Sequence, residues 1–125
     1  MLQQKILAID DSVIVIKQLQ SILEREYYFK GVTSGLAALK ILDTEPVDLV
    51  LLDLEMPVMD GFATLTAIRQ REHLKELPIV ILTGNNHKQK VIKGITSGVA
   101  GYIVKPADSE LLLEKIRNAL KRNEE

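Results

Sequence analysis

The centre of the sequence reads Val47-Asp-Leu-Val-Leu-Leu-Asp53-Leu-Glu-Met-Pro-Val-Met-Asp-Gly61. Its first six residues are apolar except for one aspartate, and this run is too short for a good helix. A strand that is covered on both faces of a parallel sheet has this pattern. Pro57 and Gly61 interrupt the pattern before a new helical period begins. The sequence therefore predicts that Asp53 lies at the carboxyl end of a central strand.

The composition of the 125 residues is that of one globular domain, with 46% hydrophobic and 26% charged residues. The net charge of −1 predicts no broad positive surface for nucleic acid or anionic lipid. The absence of cysteine excludes disulfides and thiolate chemistry. No apolar run approaches the roughly 18 residues of a membrane span, and we expect no signal peptide before the first strand. We therefore expect a cytoplasmic protein that does not bind membranes.

Strands and helices are predicted to alternate along the whole chain. Apolar runs predict strands at residues 5–9, 29–33, 47–52, 79–82 and 102–104. Helical spacing follows Ser12, Ser34, Gly61 and Asp108, and is less clear over 88–97. In the first helix, the apolar residues that recur at helical spacing are Val13, Ile16, Leu19 and Leu23. Five such units predict an α/β fold with a parallel sheet, right-handed crossovers and helices on both faces, most simply in the flavodoxin-like order 2-1-3-4-5.

Polar or charged side chains follow four of the five predicted strands. Asp10 and Asp11 follow the first strand, Asp53 the third, Thr83 the fourth and Lys105 the fifth. The carboxyl ends of parallel strands meet at one edge of a sheet, so these side chains should converge. Three close carboxylates repel one another by about 4 kcal/mol per pair at a surface-like dielectric. They therefore require a cation, and oxygen ligands with room for water favour Mg²⁺.

The same group of residues predicts a reaction. Lys105 supplies a positive charge opposite the acids, and Thr83 supplies a hydroxyl donor. Acids, a metal, an ammonium and a hydroxyl around one carboxylate are the groups that stabilise charge on a transferring phosphoryl group. A carboxylate is an established nucleophile in such reactions. The pattern therefore predicts that Asp53 accepts a phosphoryl group.

These residues also occur in a recognisable order. The sequence contains Asp10-Asp11, the stretch from Asp53 to Gly61, Thr83, and Tyr102-Ile-Val-Lys105-Pro106. Together they resemble the response regulator receiver domain, the CheY-like family of two-component signalling. The resemblance runs from about Lys5 to Leu120, and it implies one receiver domain over residues 1–125 with its core at about 5–120.

The resemblance implies roles for the acidic residues. Asp53 would accept the phosphoryl group from the phosphohistidine of a sensor kinase or a phosphotransfer protein. Asp11 would bind Mg²⁺ directly, Asp10 would bind it mainly through water, and the backbone carbonyl of Glu55 would complete the protein ligands. Mn²⁺ could substitute. The domain would be a phosphoprotein rather than an enzyme, because it catalyses only its own phosphorylation and dephosphorylation.

The resemblance also implies a conformational switch. Lys105 would pair with the phosphoryl oxygens, Thr83 would move to bind them, and Tyr102 would turn inward behind Thr83. Glu55 and Asn85 would tune the lifetime of the phosphoryl group. The peptide bond between Lys105 and Pro106 would be cis. Readout would occur on the surface of the helix predicted over 88–97, the fifth strand and the last helix, by an effector domain, an effector protein or a second copy of the chain.

Three other functions compete with this interpretation. A haloacid-dehalogenase-type phosphatase needs its nucleophile after the first strand in an Asp-x-Asp spacing, whereas Asp10 and Asp11 are adjacent. A flavodoxin needs a phosphate-binding loop at the same place, where two aspartates would repel the phosphate. A pseudo-receiver that is never phosphorylated and serves as a docking module is the main alternative. Such a protein would be expected to lose an acid or the lysine, and this sequence retains them all.

Overall fold

The computed structural model describes residues 3–84, 98–106 and 108–124. The elements in chain order are β1 (Lys5–Ile9), α1 (Val13–Leu23), β2 (Tyr28–Val32), α2 (Gly35–Thr44), β3 (Leu49–Leu52), α3 (Gly61–Arg69), a short 3-10 turn (Glu72–Leu74), β4 (Ile79–Thr83), β5 (Gly101–Val104) and the last helix, α4 (Ser109–Glu124). Asn85 and the helix predicted over 88–97 lie outside the described residues. Within the described ranges, no helix is both long and apolar enough to cross a membrane.

The five strands form one parallel sheet in the order β2-β1-β3-β4-β5. The α/β class and the flavodoxin-like order predicted from the sequence are thereby confirmed. β3 lies at the centre of the sheet, and all four of its residues are buried. This explains its continuous apolar run, since a central strand has neighbours on both sides and helices over both faces.

The sheet separates two apolar clusters. Because successive side chains of a strand point to opposite faces, Val50 and Leu52 pack on one side while Leu49 and Leu51 pack on the other. The first cluster includes residues of α2 and α3, and the second includes residues of α1 and α4. The helices therefore hold β3 rigidly between them, and with it the residue that follows, Asp53.

Two predicted helix caps are confirmed, and one residue of the apolar spacing in α1 is exposed. The Ser12 hydroxyl accepts a hydrogen bond from the amide of Val15 at the start of α1, and Ser34 does the same at the start of α2. Val13, one of the four residues in the apolar spacing of this helix, is 55% exposed. It is the first residue of α1, next to the loop that follows β1. Leu19, further along α1, is buried.

Candidate functional site

The backbone continues the sheet ladder into the residues that follow the strands. The Asp53 amide donates to the carbonyl of Ile9 at 2.9 Å, which joins the residue after β3 to the end of β1. The Lys105 amide donates to the carbonyl of Thr83 at 2.7 Å, which joins the residue after β5 to the end of β4. These main-chain bonds place the side chains of the site at the same edge of the sheet.

Three carboxylates meet at this edge. Each of Asp10, Asp11 and Asp53 offers a carboxylate oxygen, and these oxygens lie within 4.8 Å of one another. Asp10 and Asp53 are buried, whereas Asp11 is exposed. Among the residues that the structure describes, this is the one cluster of three potential metal-ligating side chains. The convergence of the acids predicted from the strand order is confirmed.

The Lys105 ammonium lies closer to Asp10 than to Asp53. Its Nζ is 2.6 Å from Asp10 Oδ2 and 3.7 Å from Asp53 Oδ1. The other oxygen of Asp10, Oδ1, accepts a hydrogen bond from the amide of Ser12 at 2.9 Å. Both Asp10 oxygens are therefore engaged within the protein. The role of the Ser12 amide was not predicted, although an Asp-x-Ser sequence at the start of a helix is a signal for such a turn.

The folded protein disfavours the charged form of the Asp53 carboxyl group. Burial and the negative charge of Asp10 raise its pKa from 3.8 to about 6. The amide of Glu55, which donates to Asp53 Oδ1 at 3.2 Å, and the ammonium of Lys105 oppose this rise. Excess negative charge within a set of hard oxygen donors fits a divalent cation such as Mg²⁺.

The N-terminus of α3 packs closely against the two residues that follow β3. The Gly61 amide donates to the carbonyl of Leu54 at 3.0 Å. A Cβ atom at Gly61 would lie only 2.4 Å from the carbonyl oxygen of Asp53 and 2.5 Å from the Cα of Leu54. A side chain at this position therefore does not fit. The sequence predicted Gly61 only as a break between strand and helix, and it gave no sign of this contact.

Thr83 and Tyr102 lie on neighbouring strands but in different environments. Thr83 is buried at the end of β4, whereas Tyr102 on β5 is 42% exposed and pairs in register with Ile81. The Tyr102 ring is therefore on the outside of the sheet edge in this structure. The peptide bond between Lys105 and Pro106 is cis, as predicted.

Comparison with known proteins identifies the family. The model of the response regulator receiver domain matches residues 6–117. The chain belongs to the response regulator receiver family. In two-component systems, domains of this family work with sensor kinases and effectors.

Relatives of this receiver domain include both long and short proteins. A probable cyclic di-GMP phosphodiesterase of Vibrio cholerae is 35% identical over 118 residues, which cover 94% of this chain and 27% of that protein. The chemotaxis protein CheY of Pseudomonas aeruginosa is 33% identical over 121 residues, covering 94% of this chain and 97% of that protein. The crystal structure of a CheY-like receiver domain protein from Methanospirillum hungatei has a TM-score of 0.91 at 26% identity, covering 98% of this chain and 97% of that chain.

The receiver domain spans only 16–27% of the length of the first curated relatives that it matches. The names of those longer proteins describe whole chains that contain other regions as well. The family assignment therefore establishes a signalling module of two-component systems.

Proposed function

We propose that this receiver domain, a single unit with its core at residues 5–120, accepts a phosphoryl group on Asp53 in a Mg²⁺-dependent reaction. The donor is the phosphohistidine of a sensor kinase or a phosphotransfer protein. The observation that carries the proposal is the placement of a buried Asp53 carboxylate among two further carboxylates and the Lys105 ammonium. The domain would not act as an enzyme on a separate substrate, since the product of the reaction is the phosphorylated domain itself. We expect it to act in the cytoplasm.

The metal would be held by the carboxylates of Asp10, Asp11 and Asp53 and by the backbone carbonyl of Glu55, with Mn²⁺ as a possible substitute. When bound, the ion neutralises charge on the transferring phosphoryl oxygens. Because both oxygens of Asp10 already have protein partners, Asp10 is suited to contact the ion through water. The exposed Asp11 is free of that restriction and is suited to direct ligation.

Asp53, Lys105 and Thr83 would carry out the transfer of the phosphoryl group. An oxygen of the Asp53 carboxylate attacks phosphorus, the O–P bond forms, the P–N bond of the phosphohistidine breaks, and the histidine nitrogen keeps the electron pair. The nucleophile is the charged carboxylate, which predominates above its pKa of about 6. Lys105, now 3.7 Å from Asp53 Oδ1, is placed to pair with a phosphoryl oxygen, and Thr83 supplies a hydroxyl donor beside it.

Readout of the phosphorylated state would involve Thr83, Tyr102 and the surface around β5. Tyr102 and Val104 on β5 and Leu111 on α4 are each more than 40% exposed. Exposed apolar side chains on two elements that contact each other support a contact surface for an effector domain, an effector protein or a second copy of the chain. The buried Thr83 lies one strand away, in register with Val104, which supports communication between the acceptor site and this surface.

Incubation with acetyl phosphate and Mg²⁺ tests the proposal directly. The wild-type domain is expected to gain about 80 Da in intact mass, and the gain should disappear with EDTA and in Asp53→Asn. Asp48→Asn is the matched control, because Asp48 lies before the same strand and is exposed, away from the site. This variant should gain the same mass as the wild type. A wild-type domain that gains no mass would contradict phosphoacceptance and favour the pseudo-receiver, a docking module that is never phosphorylated.

Glu55 is expected to lengthen the lifetime of the phosphorylated state. Its side chain adds negative charge at the mouth of the site, two residues from Asp53, and this charge should hinder attack by water on the phosphoryl group. Glu55→Ala is therefore expected to shorten the half-life of the aspartyl phosphate several-fold, measured from the decay of the intact mass after the donor is removed. Glu55→Gln separates charge from size, and an unchanged half-life in both variants would contradict the prediction. The corresponding role of Asn85 stays a prediction.

A further inference from the structure

The backbone of Val58 is in the left-handed region, with φ at +69°. Valine rarely adopts this conformation, since its branched side chain crowds its own backbone there. The side chain of Val58 is fully exposed, so packing does not stabilise the conformation in return. The unusual turn must therefore be imposed by the chain on either side of it.

The loop that contains Val58 begins and ends at the acceptor strand. The Gly61 amide donates to the carbonyl of Leu54 at 3.0 Å, which closes the loop. At its outer end, the amide of Met59 donates to the carbonyl of Pro57 at 2.8 Å. This three-residue turn centred on Val58 reverses the chain. The residues from 54 to 61 therefore leave the strand and return to it within a very short path.

The residues before the turn are fixed in the protein and hold the peptide of Glu55 between them. Leu54 and Met56 are both buried, so the chain around Glu55 is anchored on each side. The Glu55 amide donates to Asp53 Oδ1 at 3.2 Å. Met56 and Pro57 are the only residues between this peptide and Val58, so the course of the loop acts on the Glu55 peptide through Met56.

We propose that the left-handed turn at Val58 is a positioning element of the acceptor site, because it closes the loop so that the Glu55 peptide lies against the Asp53 carboxylate. The inference rests on the proposed function, in which the Glu55 carbonyl is a ligand of Mg²⁺. Without a left-handed residue at position 58 the chain cannot reverse at this point, and the Glu55 peptide loses its place. The metal site should weaken while the domain stays folded, because the side chain of Val58 contributes no packing.

Val58→Pro tests the proposal, because proline is confined to a negative φ. We expect the dissociation constant for Mg²⁺, measured by calorimetric titration without a phosphodonor, to rise at least about tenfold, as for other losses of outer-shell support. Val58→Gly is the matched control, since glycine adopts the same turn without a side chain. This variant should keep the wild-type dissociation constant within twofold. Wild-type affinity in Val58→Pro, or an equal loss in both variants, would overturn the proposal.

A second variant and a second readout keep the test decisive if Val58→Pro does not fold. Insertion of one glycine between Val58 and Met59 lengthens the loop, so the chain no longer has to reverse within three residues. We expect this insertion to weaken Mg²⁺ binding as Val58→Pro does. The Glu55 amide resonance of the metal-free domain should shift in this variant, while resonances of core residues such as Leu7 and Val80 stay in place. Unchanged affinity and an unchanged Glu55 resonance would overturn the proposal.

The same titrations separate this proposal from the proposed function. A wild-type domain that binds Mg²⁺ but forms no Asp53 adduct contradicts phosphoacceptance, while the comparison of the position-58 variants still tests the turn. A wild-type domain that binds no Mg²⁺ overturns both.

Discussion

Asp53→Asn is expected to raise the free energy of unfolding of the metal-free domain by at most about 3 kcal/mol at pH 8. Burial and the charge of Asp10 raise the pKa of Asp53 from 3.8 to about 6, and one pKa unit corresponds to about 1.4 kcal/mol. The shift means that folding disfavours the charged carboxylate. Asparagine removes the charge and keeps a similar shape, so the variant escapes this cost.

The sign of the effect predicts its dependence on pH. The folded pKa of Asp53 is higher than the unfolded pKa, so the protonated carboxyl group is favoured by folding. The wild type should therefore match the variant most closely below about pH 4. It should lose stability relative to the variant as pH rises from about 4 to 6, and the difference should level off above pH 7.

Urea denaturation in EDTA at pH 4, 6 and 8 measures this difference. Asp48→Asn is the control, because Asp48 is an exposed aspartate outside the cluster, so this change removes an acidic group without touching the site. Addition of Mg²⁺ should stabilise the wild type more than Asp53→Asn, since a ligand that binds only the folded state adds to the free energy of unfolding. A difference between Asp53→Asn and the wild type that is the same at pH 4 and pH 8 would contradict the prediction.

Gly61→Ala is expected to lower the free energy of unfolding by about 3 kcal/mol, the upper part of the usual range for overpacking. The new Cβ would lie 2.4 Å from the carbonyl oxygen of Asp53 and 2.5 Å from the Cα of Leu54. Both are backbone atoms, which cannot rotate away as a flexible side chain can. Either α3 or the residue that follows β3 must move, and the closure of the loop at the Leu54 carbonyl is lost.

Gly101→Ala is the matched control for this prediction. Gly101 begins β5, and a Cβ placed there meets nothing within 4 Å. Its effect on the free energy of unfolding should remain within about 0.5 kcal/mol, as for ordinary surface changes. Chemical denaturation of both variants measures the difference, and Mg²⁺ titration should show weaker binding for Gly61→Ala alone. Equal free energies of unfolding for the two variants would contradict the prediction, because they would mean that the backbone around Gly61 and Asp53 can adjust to the added Cβ.

These two residues show how far the sequence could predict the site. Asp53 was predicted at its correct place, because an apolar run followed by an acid is a local pattern and β3 is a central strand. Gly61 was predicted only as a turn residue, since its contact with the Asp53 carbonyl forms when α3 folds back beneath the sheet. The apolar spacing of α1 included the exposed Val13, because periodicity gives the face of a helix but not which of its residues other elements cover.

The sequence by itself determined the alternation of strands and helices, the order of the sheet and the meeting of Asp10, Asp11 and Asp53. These follow from local patterns and from the rule that parallel strands present their carboxyl ends at one edge. Only the tertiary structure decided that Lys105 pairs more closely with Asp10 than with Asp53 and that the Asp53 pKa rises to about 6. Charge pairing and desolvation depend on separations of a few ångströms between residues far apart in the chain, and these separations exist only after the core has packed.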